Sequence, residues 1–105
     1  MKISIRTQGK HKIISLNGEL DLYNTAQLRE DLYSLIDPED PSIILDMAEM
    51  TYIDSSGIAL ITDIRNFLLK EKRNFGLINL SESSSLRRTA LENLFRVYAS
   101  LDELD

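Results

Sequence analysis

Near the start of the chain, two short runs of residues have the pattern of β-strands. In the first run, Ile3 and Ile5 are separated by polar residues, which is the period of a strand with one buried face. The second run covers residues 12–16 and ends at Asn17-Gly18. Because only a short turn joins the two runs, the pattern predicts an antiparallel β-hairpin.

Apolar residues at helical spacing predict three helices. The first begins at Asn24, which forms a helix-start box with Gln27, the Asn side chain accepting from backbone N–H groups. This helix ends before Pro38, since proline cannot continue it. The second helix begins within residues 54–57, and the third covers residues 86–94. The apolar stripe of the first helix consists of Leu28, Leu32, Leu35 and Ile36.

Short apolar runs between the helices predict further strands. Residues 43–45 are continuously apolar, as expected for a strand covered on both faces. Asp46 ends this strand, and a loop leads from there through Tyr52 to the second helix. The remaining predicted elements are strands at 75–80 and 95–98 and a last helical turn at 101–105.

The predicted order of elements is β-β-α-β-α-β-α-β. Strands that alternate with helices indicate an α/β fold with right-handed crossovers. We therefore predict a mixed, mostly parallel sheet of about five strands, with an antiparallel hairpin at its edge and helices packed on the sheet. With 105 residues and no linker or repeat, residues 1–105 are expected to form a single domain.

Composition and charge narrow the class of protein. No apolar run approaches the roughly 20 residues that span a bilayer, and the N-terminal residues do not form a signal peptide. The absence of cysteine excludes disulfides, thiolate metal sites and a cysteine nucleophile. A net charge of −5 argues against nucleic acid as a partner. We expect a cytoplasmic monomer whose basic residues, Lys70, Lys72, Arg73, Arg87 and Arg88, lie on solvated helix faces.

Three predicted loops at the carboxyl ends of strands carry acidic or hydroxyl side chains. They are Asp21 to Asn24, Asp46, and Asp54 to Gly57. In open α/β sheets, binding groups collect in such loops. The third loop is the most informative, because its serines lie at the start of a helix.

A phosphate on one of these serines would meet backbone N–H groups and the favourable end of the helix dipole. Gly57 would leave room for that approach, and Asp54 and Asp21 would lie close to the added charge. The same Asp-Ser-Ser-Gly string is also typical of a plain helix cap, since Ser and Asp are preferred cap residues. From the residues alone, the cap is the more frequent outcome.

The residues give little support for an enzyme. The single histidine, His11, is predicted near the hairpin turn and far from Asp21, which is a poor geometry for a catalytic triad. We interpret His11 as a solvated strand residue. A phospho-accepting aspartate at Asp46 would need an acidic pair after the first strand to hold magnesium, and the sequence has no such pair there. No cofactor and no metal site are expected, although Asp21, Asp46 and Asp54 together offer ligands suited to a hard cation.

Several motifs resemble one family. The string Tyr52-Ile53-Asp54-Ser55-Ser56-Gly57-Ile58 is similar to the signature of STAS domains, specifically the bacterial anti-sigma factor antagonists. Upstream, Gly18-Glu19-Leu20-Asp21 resembles the segment after that family's second strand. The similarity covers nearly the whole chain, and residues 44–47 and 93–98 also resemble family segments. It implies the STAS fold over residues 1–105.

The resemblance implies a partner-switching role without enzymatic activity. In this family, the serine after the Asp, here Ser55, is phosphorylated by a serine kinase of the histidine-kinase-like ATPase fold. That kinase is the anti-sigma factor, and the unphosphorylated antagonist binds it and frees the sigma factor. A metal-dependent phosphatase reverses the phosphorylation. Residues implied to line the phosphate site or contact the partner are Asp21, Asn24, Asp54, Ser56, Gly57 and Ile58.

Some positions depart from the family pattern, and these leave the partner open. Leu80-Ser81-Glu82 lacks a frequent proline, Asn93 replaces a common glycine, and residues 73–76 replace a Gly-Gly turn. The alternative role is a STAS scaffold subunit of a stress-signalling complex or an accessory subunit of a lipid transport system. The intact Asp54-Ser55-Ser56 favours the phosphorylation switch, because transport relatives often lack the serine.

Overall fold

The computed structural model describes residues 1–80 and 87–104 of the chain. Within these residues, six strands and three helices are arranged in the order β-β-α-β-β-α-β-α-β, followed by a 3-10 turn. Their bounds are β1 Lys2–Gln8, β2 His11–Leu20, α1 Thr25–Leu35, β3 Ser42–Asp46, β4 Met50–Ile53, α2 Ser55–Lys70, β5 Asn74–Ile78, α3 Arg88–Leu94, β6 Val97–Tyr98 and the 3-10 turn Leu101–Glu103.

The strands form one mixed sheet in the order β1-β2-β3-β5-β6, with β4 also paired to β2. β1 and β2 form the predicted antiparallel hairpin, with Ile5 opposite Ile14. Every other pairing is parallel, as in β2 with β3 and β3 with β5. The α/β architecture predicted from the order of elements is confirmed.

The sequence pattern missed β4 and ended β2 too early. β2 continues beyond Gly18 to Leu20, so its first half pairs with β3 and its second half with β4. The pairing of β2 with β4 contains a bulge between Gly18 and Glu19, and Gly18 has a φ of +124°, which residues with a side chain rarely adopt. Within β4 only Met50 and Ile53 are buried, so this short strand has no alternating pattern to detect.

Most of the core lies between the sheet and the helices on one of its faces. β3 is buried along its whole length, as its apolar run predicted. α2 contributes its buried stripe to this core, and α1 and α3 pack beside it. The helix residues buried here are Leu28, Leu32, Leu60, Ile61, Ile64, Leu68 and Leu91.

The other face of the sheet carries a small apolar cluster beside a polar network centred on Asp46. Ile13, Ile44 and Ile78 pack there against Leu104, which follows the 3-10 turn. Asp46 is buried and accepts hydrogen bonds from Arg6 at 2.7 Å, from Asn79 at 3.0 Å and from the N–H of Ala48 at 3.0 Å. One carboxylate thus connects β1, the end of β5 and the β3–β4 loop.

The pKa of Asp46 lies below its ordinary value. Burial alone would raise it, but the hydrogen bonds from Arg6, Asn79 and the Ala48 N–H outweigh that penalty by stabilising the charged form. The carboxylate is therefore charged at neutral pH and is held by partners on three segments of the chain.

His11 is buried, which corrects its interpretation as a solvated strand residue. It is only 2% exposed, and its Nδ1 lies 2.6 Å from Ser42 Oγ. The Ser42 hydroxyl also accepts from Asn74 Nδ2 at 2.9 Å. Because β2 lies between β1 and β3, its first residue is inside the sheet even though it follows a turn.

Of the basic residues predicted on solvated faces, Arg73 has a largely buried side chain, whereas Arg87 is exposed as predicted but also contacts the chain. The Arg73 side chain is 10% exposed and donates to the carbonyl oxygens of Asp40 and Asp37, at 2.7 and 2.6 Å. Arg87 donates to the carbonyl oxygen of Ile53 at 3.2 Å. The turn and cap that Ser81 to Ser85 indicate by their composition, and Leu86, the first residue of the predicted third helix, lie outside the described residues. Among the described helices, none is long and apolar enough to span a membrane.

The Asp46 network gives a testable dependence of stability on pH. Because the folded-state pKa is lowered, its stabilisation is present above about pH 4 and is lost as the pH falls through that lowered value. We expect Asp46→Asn to reduce the free energy of unfolding by about 2 kcal/mol at pH 7. Urea unfolding of both proteins should show this difference shrinking towards low pH.

Asp63→Asn is the matched control, since Asp63 forms an exposed ion pair with Arg29 at 3.0 Å. Its cost should stay within about 0.5 kcal/mol. A loss for Asp46→Asn that is no larger, or that does not change with pH, would contradict the role assigned to this carboxylate.

Candidate functional site

Two of the three loops singled out in the sequence meet at the carboxyl end of β2. β4 runs parallel to the last residues of β2, and the backbone N–H of Asp54 donates to the carbonyl oxygen of Leu20 at 3.2 Å. The Asp21–Asn24 loop and the start of α2 are therefore neighbours. Asp46 is not part of this group, because its carboxylate belongs to the network with Arg6.

The carboxylate of Asp54 joins the two loops. Its Oδ1 accepts from the backbone N–H groups of Ser56 at 3.0 Å and Gly57 at 3.2 Å, which caps α2 as the sequence predicted. Its Oδ2 accepts from the N–H of Leu22 at 3.2 Å, across the gap between the loops. One side chain thus fixes both the helix start and the β2–α1 loop.

The pKa of Asp54 is lowered. The hydrogen bond from the Ser56 hydroxyl, 2.5 Å long, is the main cause, and N–H groups of Gly57, Leu22 and Ser56 add to it. All of these donors favour the charged carboxylate. A group added to the neighbouring Ser55 therefore meets a negative charge at neutral pH.

The β2–α1 loop is also held by its own polar side chains. The Asp21 carboxylate accepts from the N–H of Tyr23 at 3.0 Å. Asn24 accepts from the N–H of Asp21 at 2.9 Å and donates to the carbonyl oxygen of Glu19. The predicted helix-start box is therefore wrong: Asn24 stands at the N-cap position, but its side chain folds back onto the loop instead of capping α1.

The two serines of the motif have different environments. Ser55 is the first residue of α2 and is exposed, and it makes no side-chain hydrogen bond to any residue of the described ranges. Ser56 is half-buried, and its hydroxyl donates to Asp54. The hydroxyl of Ser55 is thus the one that a partner can reach without breaking an internal contact.

Two of the backbone donors at the start of α2 are already in use. The sequence led us to expect that a phosphate here would meet open N–H groups. In the structure, the N–H groups of Ser56 and Gly57 are bound to the Asp54 carboxylate instead. A phosphate on Ser55 would have to compete with Asp54 for these N–H groups. The phosphate is therefore more easily accommodated when it points outward into solvent.

Gly57 allows close packing at the start of α2, a role that the sequence did not indicate. A Cβ at this position would lie 2.7 Å from Ile53 Cγ1 and 2.7 Å from Leu20 Cγ. The glycine lets α2 start directly against the ends of β2 and β4. Ile58 is partly buried and packs against the main core, so little of it is available to a partner.

Sequence reasoning missed two apolar residues beside the motif. Leu22 is 72% exposed and Tyr23 is 95% exposed, both in the loop that Asp54 and Asp21 hold in place. A pair of large apolar side chains inside a polar loop, outside any helical or strand period, was the available signal. Exposed apolar surface next to an ordered polar cluster is typical of a contact site for another protein.

Other chemistry has little support at this site. The nearest arrangement to a serine with a base is Ser42 with His11, but Ser42 is completely buried inside the sheet. Within residues 1–80 and 87–104, no cluster of three His, Asp or Glu side chains is placed to hold a metal ion. The Ser55 hydroxyl and the apolar loop are the exposed features that best fit a contact with another protein.

The exposed serine after the capping aspartate, together with the mixed sheet, is consistent with the family that the sequence motifs resemble. The family model described as the STAS domain matches residues 2–104. The chain belongs to the STAS domain family. An anti-sigma-B factor antagonist of Staphylococcus epidermidis is 26% identical over 69 residues, which are 66% of this STAS domain and 64% of that relative's length.

Solved structures confirm the STAS fold predicted from the motifs. An anti-sigma factor antagonist from Mycobacterium paratuberculosis has a TM-score of 0.80 at 21% identity, covering 97% of this chain and 88% of that one. The unphosphorylated form of the anti-sigma factor antagonist SpoIIAA has a TM-score of 0.73 at 21% identity, covering 97% and 92%. Its phosphorylated form, from Bacillus, has a TM-score of 0.67 at 20% identity, covering 99% and 97%.

The close approach at Gly57 can be tested by Gly57→Ala. In a helix this change would ordinarily stabilise by about 1 kcal/mol. Here we expect a loss of about 1–3 kcal/mol in the free energy of unfolding, because the new Cβ overlaps Ile53 and Leu20. Ala59→Gly, at an exposed position of the same helix, measures the propensity effect alone in urea unfolding. A stabilised Gly57→Ala protein would rule out the close contact.

Proposed function

We propose that this protein is an anti-sigma factor antagonist that is controlled by phosphorylation of Ser55. Its unphosphorylated form binds an anti-sigma factor serine kinase of the histidine-kinase-like ATPase fold, which then releases its sigma factor. The observation that carries the proposal is the difference between the two serines: Ser55 is exposed and uncommitted within the described chain, while Ser56 is bonded to Asp54. Relatives named anti-sigma-B factor antagonist support the general role.

The switch acts through charge at the contact surface. Phosphorylation adds about −1.5 to −2 charges at Ser55, directly after the ionised Asp54. Because Asp54 already occupies the N–H groups of Ser56 and Gly57, the phosphate has little internal compensation. At a partner surface shaped for a neutral hydroxyl, the new charge brings repulsion and a desolvation cost. A loss of about 3 kcal/mol would weaken binding roughly a hundredfold.

The fold itself does not have to change for this switch to work. The phosphate is added at an exposed position, outside the core and outside the hydrogen bonds that join the two loops. Exposure also leaves the phosphoserine open to a metal-dependent phosphatase, which would restore the binding form. The kinase and the phosphatase would thus both contact the antagonist at the same small surface around Ser55.

The β2–α1 loop supplies the apolar part of that surface. Leu22 and Tyr23 are exposed beside Ser55's helix, and the hydrogen bonds of Asp54 and Asp21 hold them in one arrangement. An aromatic side chain presented on an ordered loop loses little conformational entropy on binding, which is the usual property of an interface hot spot. We assign Leu22 and Tyr23 to the contact with the kinase.

The phosphorylation site is tested by incubation with ATP and each candidate anti-sigma kinase of the source genome. Intact mass and peptide mapping should find one phosphate on Ser55 in wild type and Ser56→Ala, and none in Ser55→Ala. Ser55→Asp should weaken kinase binding by at least about tenfold, since it adds only part of the phosphate's charge.

Two outcomes would count against this function. Phosphate mapped to Ser56 would assign the wrong serine. If no candidate kinase modifies or binds the protein, the scaffold or transport-accessory role becomes the better account, and the motif is a helix cap.

The apolar contact is tested separately by Tyr23→Ala and Leu22→Ala. Each should weaken binding of the unphosphorylated protein to its kinase by at least about tenfold, as truncation of an interface anchor does. The free energy of unfolding should change by no more than about 0.5 kcal/mol, because both side chains are exposed. Ile5→Ala, at an apolar position on β1 that is 44% exposed, is the control in calorimetric titration. Unchanged affinity for both loop variants would remove them from the interface.

A further inference from the structure

A groove of about 580 Å³ lies at the opposite end of α2 from Ser55. It is formed by the C-terminal end of α2, the start of β5 and the α3–β6 connection. A helix as long as α2 spans about 24 Å, so this groove is well separated from the phosphorylation site. It is referred to below as the basic groove, after its cationic lining residues Arg65, Lys72, Arg73 and Arg96.

The charge of the basic groove is opposite to that of the protein. The chain carries a net charge of −5, yet four of its 12 Lys and Arg residues line this groove and none of its lining residues is acidic. Arg73 is paired with Glu71 at 2.7 Å and is held by backbone carbonyls, so its role is structural. Lys72 and Arg96 are exposed and form no ion pair with any residue in the described part of the chain.

Apolar side chains accompany these cations. Leu69 is 47% exposed and Leu94 is 46% exposed, and both line the basic groove. Beneath them, Phe75 and Phe95 pack edge to face with ring centroids 6.1 Å apart, which gives the groove a firm floor. A ligand that matches this surface must offer both negative charge and apolar side chains.

We propose that the basic groove is a docking site for an acidic peptide segment of a partner protein, in which aspartate or glutamate residues flank leucine or a similar apolar residue. The carboxylates pair with Lys72, Arg96 and Arg65, and the apolar side chain packs against Leu69 and Leu94. Desolvation beside the two leucines strengthens these charge pairs relative to pairs in open water. Nucleic acid suits the groove less well, because the rest of the surface repels phosphate backbones.

The proposal is independent of the switch at Ser55. Since the two surfaces lie at opposite ends of α2, one partner at each end can bind at the same time. The groove would then add affinity for a second segment of the kinase or recruit a different protein, whether or not Ser55 is phosphorylated.

The test is fluorescence anisotropy with a labelled short peptide in which leucines alternate with glutamates. Its counterpart has glutamine at every glutamate. The acidic peptide should bind at least about tenfold more tightly, and its affinity should fall as salt is raised. Lys72→Asn and Arg96→Gln should each weaken it several-fold, and the double variant by more than about tenfold.

Lys72→Asn is chosen because Lys72 has a φ of +59°, a conformation that asparagine adopts readily, so the variant should remain folded. Lys70→Gln is the control, since Lys70 is exposed two residues before Lys72, has the same charge and does not line the groove. The Ser55→Asp protein should bind the peptide as wild type does, which separates this site from the proposed switch.

Four results would overturn the proposal. The first is equal binding of the two peptides, and the second is a Lys70→Gln variant that weakens binding as much as Lys72→Asn does. The third is complete displacement of the peptide by inorganic phosphate at low concentration, which would indicate a small-anion site. The fourth is a dimer in sedimentation analysis that Lys72→Asn abolishes, which would make a second copy of the chain the occupant.

Discussion

The geometry of the candidate site depends on the carboxylate of Asp54. One of its oxygens caps α2 through Ser56 and Gly57, and the other accepts from Leu22 in the neighbouring loop. Without this bridge, the exposed apolar loop and the exposed serine would be two separate surface features. Because the same carboxylate occupies the helix N–H groups, a phosphate on Ser55 finds little compensation inside the domain. In the proposed switch, the interaction that orders the surface would therefore also make it sensitive to the charge of the phosphate.

Gly57 and β4 make this bridge possible. β4 places Asp54 beside the end of β2, and the missing side chain at residue 57 lets α2 begin against Leu20 and Ile53. The other face of the sheet is organised by a second carboxylate, Asp46, which joins β1, β5 and the β3–β4 loop. Two aspartates at strand ends thus have different tasks, one structural and one at the proposed contact surface.

The sequence predicted the features that depend on neighbouring residues in the chain. The buried β3, the hairpin, the three helices and the cap by Asp54 all follow from local period or capping preference. It failed where the partner of a residue is distant in sequence. Apart from Asn24, whose partner Glu19 is only five residues away, the clearest cases are His11, which is buried beside Ser42 across the sheet, and β4, which pairs with the end of β2. Likewise, the basic groove combines residues from α2 and the α3–β6 connection, which no local pattern brings together.

The most direct test of the Asp54 bridge is amide hydrogen exchange, measured by NMR, in wild type and Asp54→Ala, with Asp63→Ala as the control. If one carboxylate holds both loops, the amides of Leu22, Ser56 and Gly57 should all exchange faster in Asp54→Ala, while amides of β3 keep their protection. Asp63→Ala should leave all of these rates unchanged. Faster exchange at Ser56 and Gly57 with no change at Leu22 would show that Asp54 is only a helix cap, and would contradict the account of a single ordered contact surface.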